Sequence, residues 1–471
     1  MNNKTVVHKL TNRLNAARSA NYTKERYYSS ASRLKDMRIG LPPHMSQLGA
    51  VTDWPRLAVD SVAHRIRIKG ITHPDAGADQ VVRQVVRDNN LLDEVHMAIT
   101  DSLIYGVGFL AVHAGDVAAG EPEIIVSSES PNAITAEWDS RTKRITSALK
   151  VIYDQDGQED GRVLFLPDET ITYNAKGEVV DVDRHGAGRV QVIRIVNRGR
   201  TSEPWGQSDI NRAVRYYTDA AVRTLVGMEV SREFFATPQR YILGADEGLF
   251  IDEDGNPIPA WESYIGRYIA LDRDEDGNLP SLGTLSSSSP EPYTELLESY
   301  SKLCAAAADV PSSHFGLVNQ SLPSSADAIR AEEQKLIQKV ESKLPSIISG
   351  IQALFDLIFD VLGYDVEPVR VYMANPATPT PAATVDALVK LIQVGVVSPT
   401  SDYVFELLGV APQMADTIRS ELSKDKSLGL LSQLSGVAAK VVAEDETVAA
   451  NASADRAPEE PTPPVVSDDE V

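Results

Sequence analysis

The side chains best suited to chemistry in this 471-residue chain fall in three places. The first is the run Asp272, Arg273, Asp274, Glu275, Asp276, Gly277, which has the alternating carboxylates and turn glycine that open a calcium loop. The bidentate acid needed at the twelfth position falls on Gly283, and Pro280 interrupts the run. An acidic turn between strands is therefore the expectation. The second place is Ser312, Ser313 and His314, two hydroxyls beside an imidazole. A nucleophile needs a base oriented by a third group, and no motif here places a partner acid. The third is Arg212, Arg215 and Arg223, which helical spacing brings close to one face, with Asp219 between them. They suit phosphate contact or ion pairs with a neighbouring subunit; carboxylates are plentiful in the chain, which favours the second.

The familiar signatures of catalysis are missing. There is no phosphate-binding GxxxxGK, no GxGxxG after a strand, no HExxH and no GxSxG. The eight His lack metal-ligand spacing, and the single Cys304 builds neither an internal disulfide nor a zinc site. Cys304 lies in the apolar run LCAAAADV, so it reads as a small core residue of a protein in a reducing cytoplasm. No catalytic residue, metal or cofactor is expected.

The elements that hold these residues read as α+β. A polar, basic helix covers 4–35 and breaks at Leu41, Pro42, Pro43. Asp53 caps the next helix, with Pro55 in its first turn. A further helix is expected over 79–105. Eight β-rich segments follow, near 107–114, 122–128, 132–138, 144–153, 161–166, 169–174, 178–183 and 190–196. They make an antiparallel sheet or a small barrel. Ser208 caps a helix that runs to Phe235 with an apolar stripe at spacings of three and four, and Asp209 favours its positive end.

An acidic stretch with β character, 239–290, separates this helix from another at 291–308. A loop at 310–324 then carries Pro311, Gly316 and Pro323. Ser324 caps the longest helix, which is mostly polar to Lys343 and nearly all apolar after Pro345. A proline removes a hydrogen bond inside a helix and bends it, so Pro345 is the expected kink. A strand near 364–373 and a Pro-rich connector come next. Helices at 382–395, 400–408, 412–423 and 426–443 precede an acidic, compositionally disordered end. No apolar run of about 18 residues is seen, so no membrane span is expected.

Charge is uneven along the chain. Residues 1–70 hold 13 Lys/Arg and 4 Asp/Glu, a net of +9, while 241–300 hold 2 Arg and 13 Asp/Glu, a net of −11. Tight wrapping of duplex DNA by the acidic middle is excluded, because DNA binding works by neutralising phosphate.

Four stretches together resemble the portal proteins of tailed bacteriophages with long non-contractile tails (siphoviruses). They are YYSSASRLKDMRIGLPP, VTDWPRLAVDSVAHRI, WGQSDINRAVRYYTDAAVRTLVGMEVSREFFATPQRYILG and DVPSSHFGL…PSSADAIRAEEQKL, in that order. The resemblance spans roughly residues 20–410. It implies a portal fold: N-terminal helices and an α/β wing over 1–207, a first stem helix over 208–238, a clip over 239–290 and a second stem helix over 291–309. A tunnel loop would be 310–324, a kinked helix with the wing's return strand 325–381, a helical crown 382–443 and a disordered acidic tail 444–471.

The implied function is a ring-shaped channel of twelve subunits at one capsid vertex, serving DNA packaging and ejection. The implied partners are further copies of the chain, double-stranded DNA in transit, the major capsid protein, scaffolding protein, the terminase large subunit and a head-completion adaptor. Assembly would take place in the host bacterial cytoplasm. Pro311, Ser312, Ser313, His314, Phe315, Asn319, Gln320 and Ser321 would face the DNA. Arg212, Arg215 and Arg223 would sit at the stem's subunit contacts or channel wall. An acidic wall suits sliding, since the duplex carries one phosphate charge per about 1.7 Å. Two other readings stay open: a minor head protein without a channel, and a metal-dependent nuclease built on Asp272 and Asp274.

Overall fold

The computed structural model describes residues 2–31, 50–235, 240–243, 281–284, 289–316, 326–377, 381–408, 410, 414–415 and 417–419. The chain divides into two compact units, Met1–Pro376 and Ala377–Val471.

Side-chain alternation along the strands sets the layers of the first unit. Strands β4 (Ile134–Asp139), β5 (Arg144–Tyr153), β6 (Glu159–Phe165), β7 (Thr170–Asn174) and β8 (Val179–Asp183) form an antiparallel meander in chain order. A second sheet has β2 (Val107–Ala114) between β3 (Ile124–Glu129) and β9 (Val192–Val196). The eight expected strands are all present, as two open sheets rather than a barrel. Successive strand residues point to opposite faces. Ala148 and Phe165 thus face the second sheet and meet Phe109, Ala111 and Val192. Their neighbours Leu149 and Leu164 face the other way, onto Val6 and Leu10 of helix α1 (Asn3–Tyr28). Leu110 and Val112, between and beyond the inward pair on β2, turn instead to the main helical core.

That core takes in α2 (Trp54–Ala63), α3 (Ala76–Asp88) and α4 (Leu91–Tyr105). The single helix expected over 79–105 is two. Asn90 adopts a left-handed φ of 46°, and the amide of Asn89 is drawn to the sheet. Asn89 Nδ2 donates to the Ile124 carbonyl at 2.9 Å, and its Oδ1 accepts from the Val126 N–H at 2.8 Å. Asparagine tolerates the first and supplies the second. Helix α1 stops at Tyr28 rather than 35, and the Leu41, Pro42, Pro43 break lies outside the described residues. Asp53 stands before α2, but its carboxylate accepts from the Ser30 hydroxyl instead of capping. Gly108 lets α4 rest directly on β2, since a Cβ there would lie 1.9 Å from the Ala98 carbonyl oxygen.

Where α1 crosses α4, burial and the charge of Glu25 push the Asp101 carboxyl up to about 7. The unfolded chain releases that proton near the ordinary carboxylate value, so stability should fall as pH rises from about 4 to 7 and the full cost should persist above 7. Asp101→Asn should therefore stabilise the protein by about 1–3 kcal/mol at pH 8 and by little at pH 4. Thermal unfolding of both forms across that range checks this; parallel curves would contradict it.

Ser208 does not begin the next helix. Helix α5 is Arg212–Phe235, and Asn211 Oδ1 caps it by accepting from the N–H groups of Ala213 (2.8 Å) and Val214 (3.0 Å). Ser208 Oγ donates to the Ile104 carbonyl instead. Helix α6 (Glu291–Ala308) returns antiparallel along α5. Asn211 Nδ2 reaches the Ala307 carbonyl (3.2 Å), Tyr217 meets Tyr300 (ring centroids 6.5 Å apart), and Tyr293 lies over Gly227. Between the two helices, β10 (Arg240–Leu243) pairs antiparallel with β11 (Ser281–Thr284). The calcium-like run at 272–277 lies outside the described residues.

Helix α7 (Ala326–Leu362) is 37 residues, about 55 Å at 1.5 Å per residue. It is one helix through Pro345. The Ser324 cap expected for it lies outside the described residues. Past Pro345, Ile347, Ile351, Leu354, Phe355, Ile358 and Phe359 enter the main core. By length and composition Ala331–Leu362 is long and apolar enough to cross a membrane, but in the fold this apolar half is core. The strand expected after it is β12 (Arg370–Met373), which pairs antiparallel with a strand the sequence did not suggest, β1 (Ile68–Thr72).

In the second unit, α8 (Pro381–Gln393) and α9 (Asp402–Leu407) are described, with Leu388, Val404 and Phe405 buried. Arg419 pairs with Asp402 there and lies 5.2 Å from the Phe405 ring centroid. Of the helices expected beyond, 426–443 is outside the described residues.

Candidate functional site

The α5–α6 pair, the turn after α6 and the polar half of α7 meet at one place. Helix α6 ends at Ala308; Asp309 follows with a φ of 51°, and Val310 and Pro311 are buried behind it. Ser312–Phe315 form one 3-10 turn closed by Gly316. Phe315 is 4 % exposed and stands edge-on to Trp54 of α2, centroids 5.9 Å apart. The hydroxyls of Ser312 and Ser313 donate to Glu332 Oε1 of α7 at 3.2 and 3.4 Å. His314 Nδ1 is 3.2 Å from the Ser61 hydroxyl of α2. Burial and nearby Arg65 hold its imidazole below the ordinary value. Arg65 also pairs with Glu333 of α7 at 3.0 Å. The described half of the candidate loop is thus pinned between α2 and α7, and the hydroxyls of Ser312 and Ser313 are turned to Glu332 rather than to His314. Asn319, Gln320 and Ser321 lie outside the described residues.

Behind this turn is a buried charge cluster that sequence reasoning missed. The Asp209 carboxylate is fully buried, 2.9 Å from Lys339 Nζ, 3.0 Å from Lys343 Nζ and 3.6 Å from Arg198 Nε. Asn197 Nδ2 donates to Asp209 Oδ1 at 3.0 Å, and Lys343 donates to the other end of the same amide. Lys339 Nζ also donates to the Ala308 carbonyl at 2.7 Å, so the last turn of α6 is tied to α7. Arg198 reaches on to Asp309 at 3.4 Å. Burial alone would push the Asp209 carboxyl up, but the three cations outweigh it and hold it at about 2. Burial dominates at Lys343 and lowers its ammonium to about 8. Lys339 is lowered for the same reason, with Asp209 opposing.

Asp209 is therefore not a helix-dipole residue, as its position before α5 suggested. It locks the base of the helix pair, the end of β9 and α7 together. The readable sign was two lysines four apart, inside the apolar stripe of Leu336, Val340 and Ile347.

The three arginines of α5 do not form one free face. Arg212 is exposed, while Arg215 and Arg223 act on Asp219. Tyr27 Oη of α1 lies 2.8 and 2.9 Å from the two oxygens of that carboxylate. Cys304 is fully buried, and burial pushes its thiol up to about 12, as suits a core residue. Among the described residues no group of three or more His, Cys, Asp or Glu is placed to hold a metal.

The family described as "Phage portal protein, SPP1 Gp6-like" matches residues 7–422, and the chain belongs to that family. The portal proteins of Mycobacterium phage L5 and Mycobacterium phage D29 are each 32% identical to it over 381 residues, covering 78% of this chain and 77% of theirs. Its role is that of a phage portal protein, a virion component at the portal vertex of the capsid. Among solved structures, a chain from the neck of an empty GTA particle is 16% identical and covers 79% of this chain and 95% of its own, at a TM-score of 0.44. A chain from the neck of a native GTA particle scores 0.41 at 16% identity, covering 76% of this chain and 90% of its own.

Proposed function

We propose that twelve copies of the chain form a ring around a DNA channel, with α5 and α6 as the stem and the loop before α7 facing the duplex. DNA enters through it during packaging and leaves through it on ejection. The ring docks on the major capsid protein and scaffolding protein during assembly in the bacterial cytoplasm, and later on the terminase large subunit and a head-completion adaptor. The chain is a passive conduit and not an enzyme; work comes from a separate motor.

The observation that carries this reading is the Asp209 cluster. It ties the foot of the stem pair to α7 at Lys339 and Lys343, so the helix pair and the long helix are held as one body. A collar around moving DNA needs such anchorage, with a neutral or acidic surface that repels phosphate rather than gripping it.

Replacing 317–321 with Gly and Ser tests the loop. The turn 312–316 is left intact because its side chains hold the fold. Rings should still form, and the yield of DNA-filled particles should drop. Normal filling would remove the loop from the mechanism.

A further inference from the structure

The two sheets and the middle of α7 enclose a cleft of about 910 Å³. Among the described residues seven basic side chains line it and no Asp or Glu does, in a chain of net charge −22. Four of the seven are engaged. Arg198 and Lys343 serve Asp209, Arg189 pairs with Asp360 at 2.6 Å, and the Arg194 guanidinium stacks 3.3 Å from the Trp138 ring centroid. Lys143, Arg144 and Arg200 are exposed at the rim, without an ion pair to any described residue. Cations of one sign converging on a concave surface select an anionic occupant.

We infer that this cleft receives the acidic β5–β6 turn of a second copy of the chain. That turn presents Asp154, Asp156, Glu159 and Asp160, all exposed. Asp154 Oδ1 accepts from the N–H groups of Asp156 (3.0 Å) and Gln158 (2.7 Å), which fixes the turn's shape. Glu159 is paired with Arg162, whereas Asp156 and Asp160 have no cation among the described residues.

Strand β5 keeps the two patches apart. It begins at Arg144, on the cleft rim, and ends at Tyr153, beside the acidic turn. Its rise separates them by about 30 Å, so a subunit's turn cannot fill its own cleft. One subunit thus carries base at one end of the meander and acid at the other. Complementary patches on different faces make a head-to-tail contact, the kind that closes into rings.

An apolar contact flanks the acid. The edge strand β8 starts next to Glu178, at that same end of the sheet, with Val179 56 % and Val180 66 % exposed. Exposed valines on an unpaired strand edge are the feature that soluble proteins cover.

This contact rests on the ring reading above, and the experiment separates the two. Arg144→Glu with Arg200→Glu puts two carboxylates on the cleft rim; Asp156→Lys with Asp160→Lys puts two ammonium groups on the turn and cancels its net charge. All four positions are exposed, and circular dichroism confirms folding of each variant. Assembly is followed by native mass spectrometry at a concentration where the wild-type chain forms rings. Each double variant alone should need about tenfold or more protein to form rings. A 1:1 mixture should assemble again, with the two variants alternating, because the carboxylates on one variant's rim then meet the ammonium groups on the other's turn. The contact is overturned if either variant forms rings as the wild type does, or if both stay apart when mixed. Should the cleft variant form rings normally but lose affinity for a duplex DNA probe, the cleft is a nucleic-acid site and the contact is likewise overturned. Failure of the wild-type chain to form rings would instead remove the ring reading itself.

Discussion

Asp209→Ala should destabilise the protein by about 3–5 kcal/mol, because it leaves two buried ammonium groups without their counter-charge. Lys339 and Lys343 are both buried, and no other carboxylate is within ion-pair distance of either among the described residues. Chemical denaturation at pH 7 reads the loss directly. Removing the charges together, as Asp209→Leu with Lys339→Met and Lys343→Met, should recover most of it, since apolar residues of similar volume replace buried ion pairs at little cost.

The pH dependence of the cluster has a definite sign. The Asp209 carboxyl is held at about 2, below its unfolded value, so its contribution is present above the ordinary carboxylate range and lost as pH falls through about 2. The gap between wild type and Asp209→Ala should close over that acid window. Lys343 works the other way. Its ammonium is lowered to about 8, so it costs stability at neutral pH, and the cost fades as pH rises from about 8 toward the ordinary lysine value. A loss below about 1 kcal/mol for Asp209→Ala would mean that the cluster does not clamp the stem.

Phe315→Ala should be the second large effect, at about 3–5 kcal/mol, the usual cost of deleting a buried ring. The ring is 4 % exposed and packs edge-on to Trp54. Its loss also loosens the 3-10 turn, whose side-chain hydrogen bonds among the described residues are the two from the serines to Glu332 and the His314–Ser61 contact. Amide exchange at 312–316 should rise sharply and the fluorescence of Trp54 should change. Protected amides and an unchanged spectrum would show that the turn is held by something else.

Much of the fold was legible because it follows from period alone. The eight strands of the two sheets and the α6 boundaries match their patterns, and the apolar stretch after Pro345 is the core helix. Three of the misses share one cause, long-range pairing. Asn89 and Asn90 break a helical pattern because a strand edge 35 residues on recruits the Asn89 amide. Strand β1 exists only because β12, some 300 residues later, supplies its hydrogen bonds. Asp209 and Ser208 look like capping residues locally, yet the fold turns one to Lys339 and Lys343 and the other to Ile104.

The candidate loop was legible in place but not in detail. Pro311 and Gly316 marked a shaped segment, while the burial of Phe315 needs a partner, Trp54, that no local pattern links to it.

The most direct measurement of the central claim is single-particle electron microscopy of the purified full-length chain, with masses from native mass spectrometry. The account predicts closed rings of one subunit number with a central hole wide enough for duplex DNA, about 20 Å or more across. A compact monomer persisting at every concentration and salt tested would contradict it.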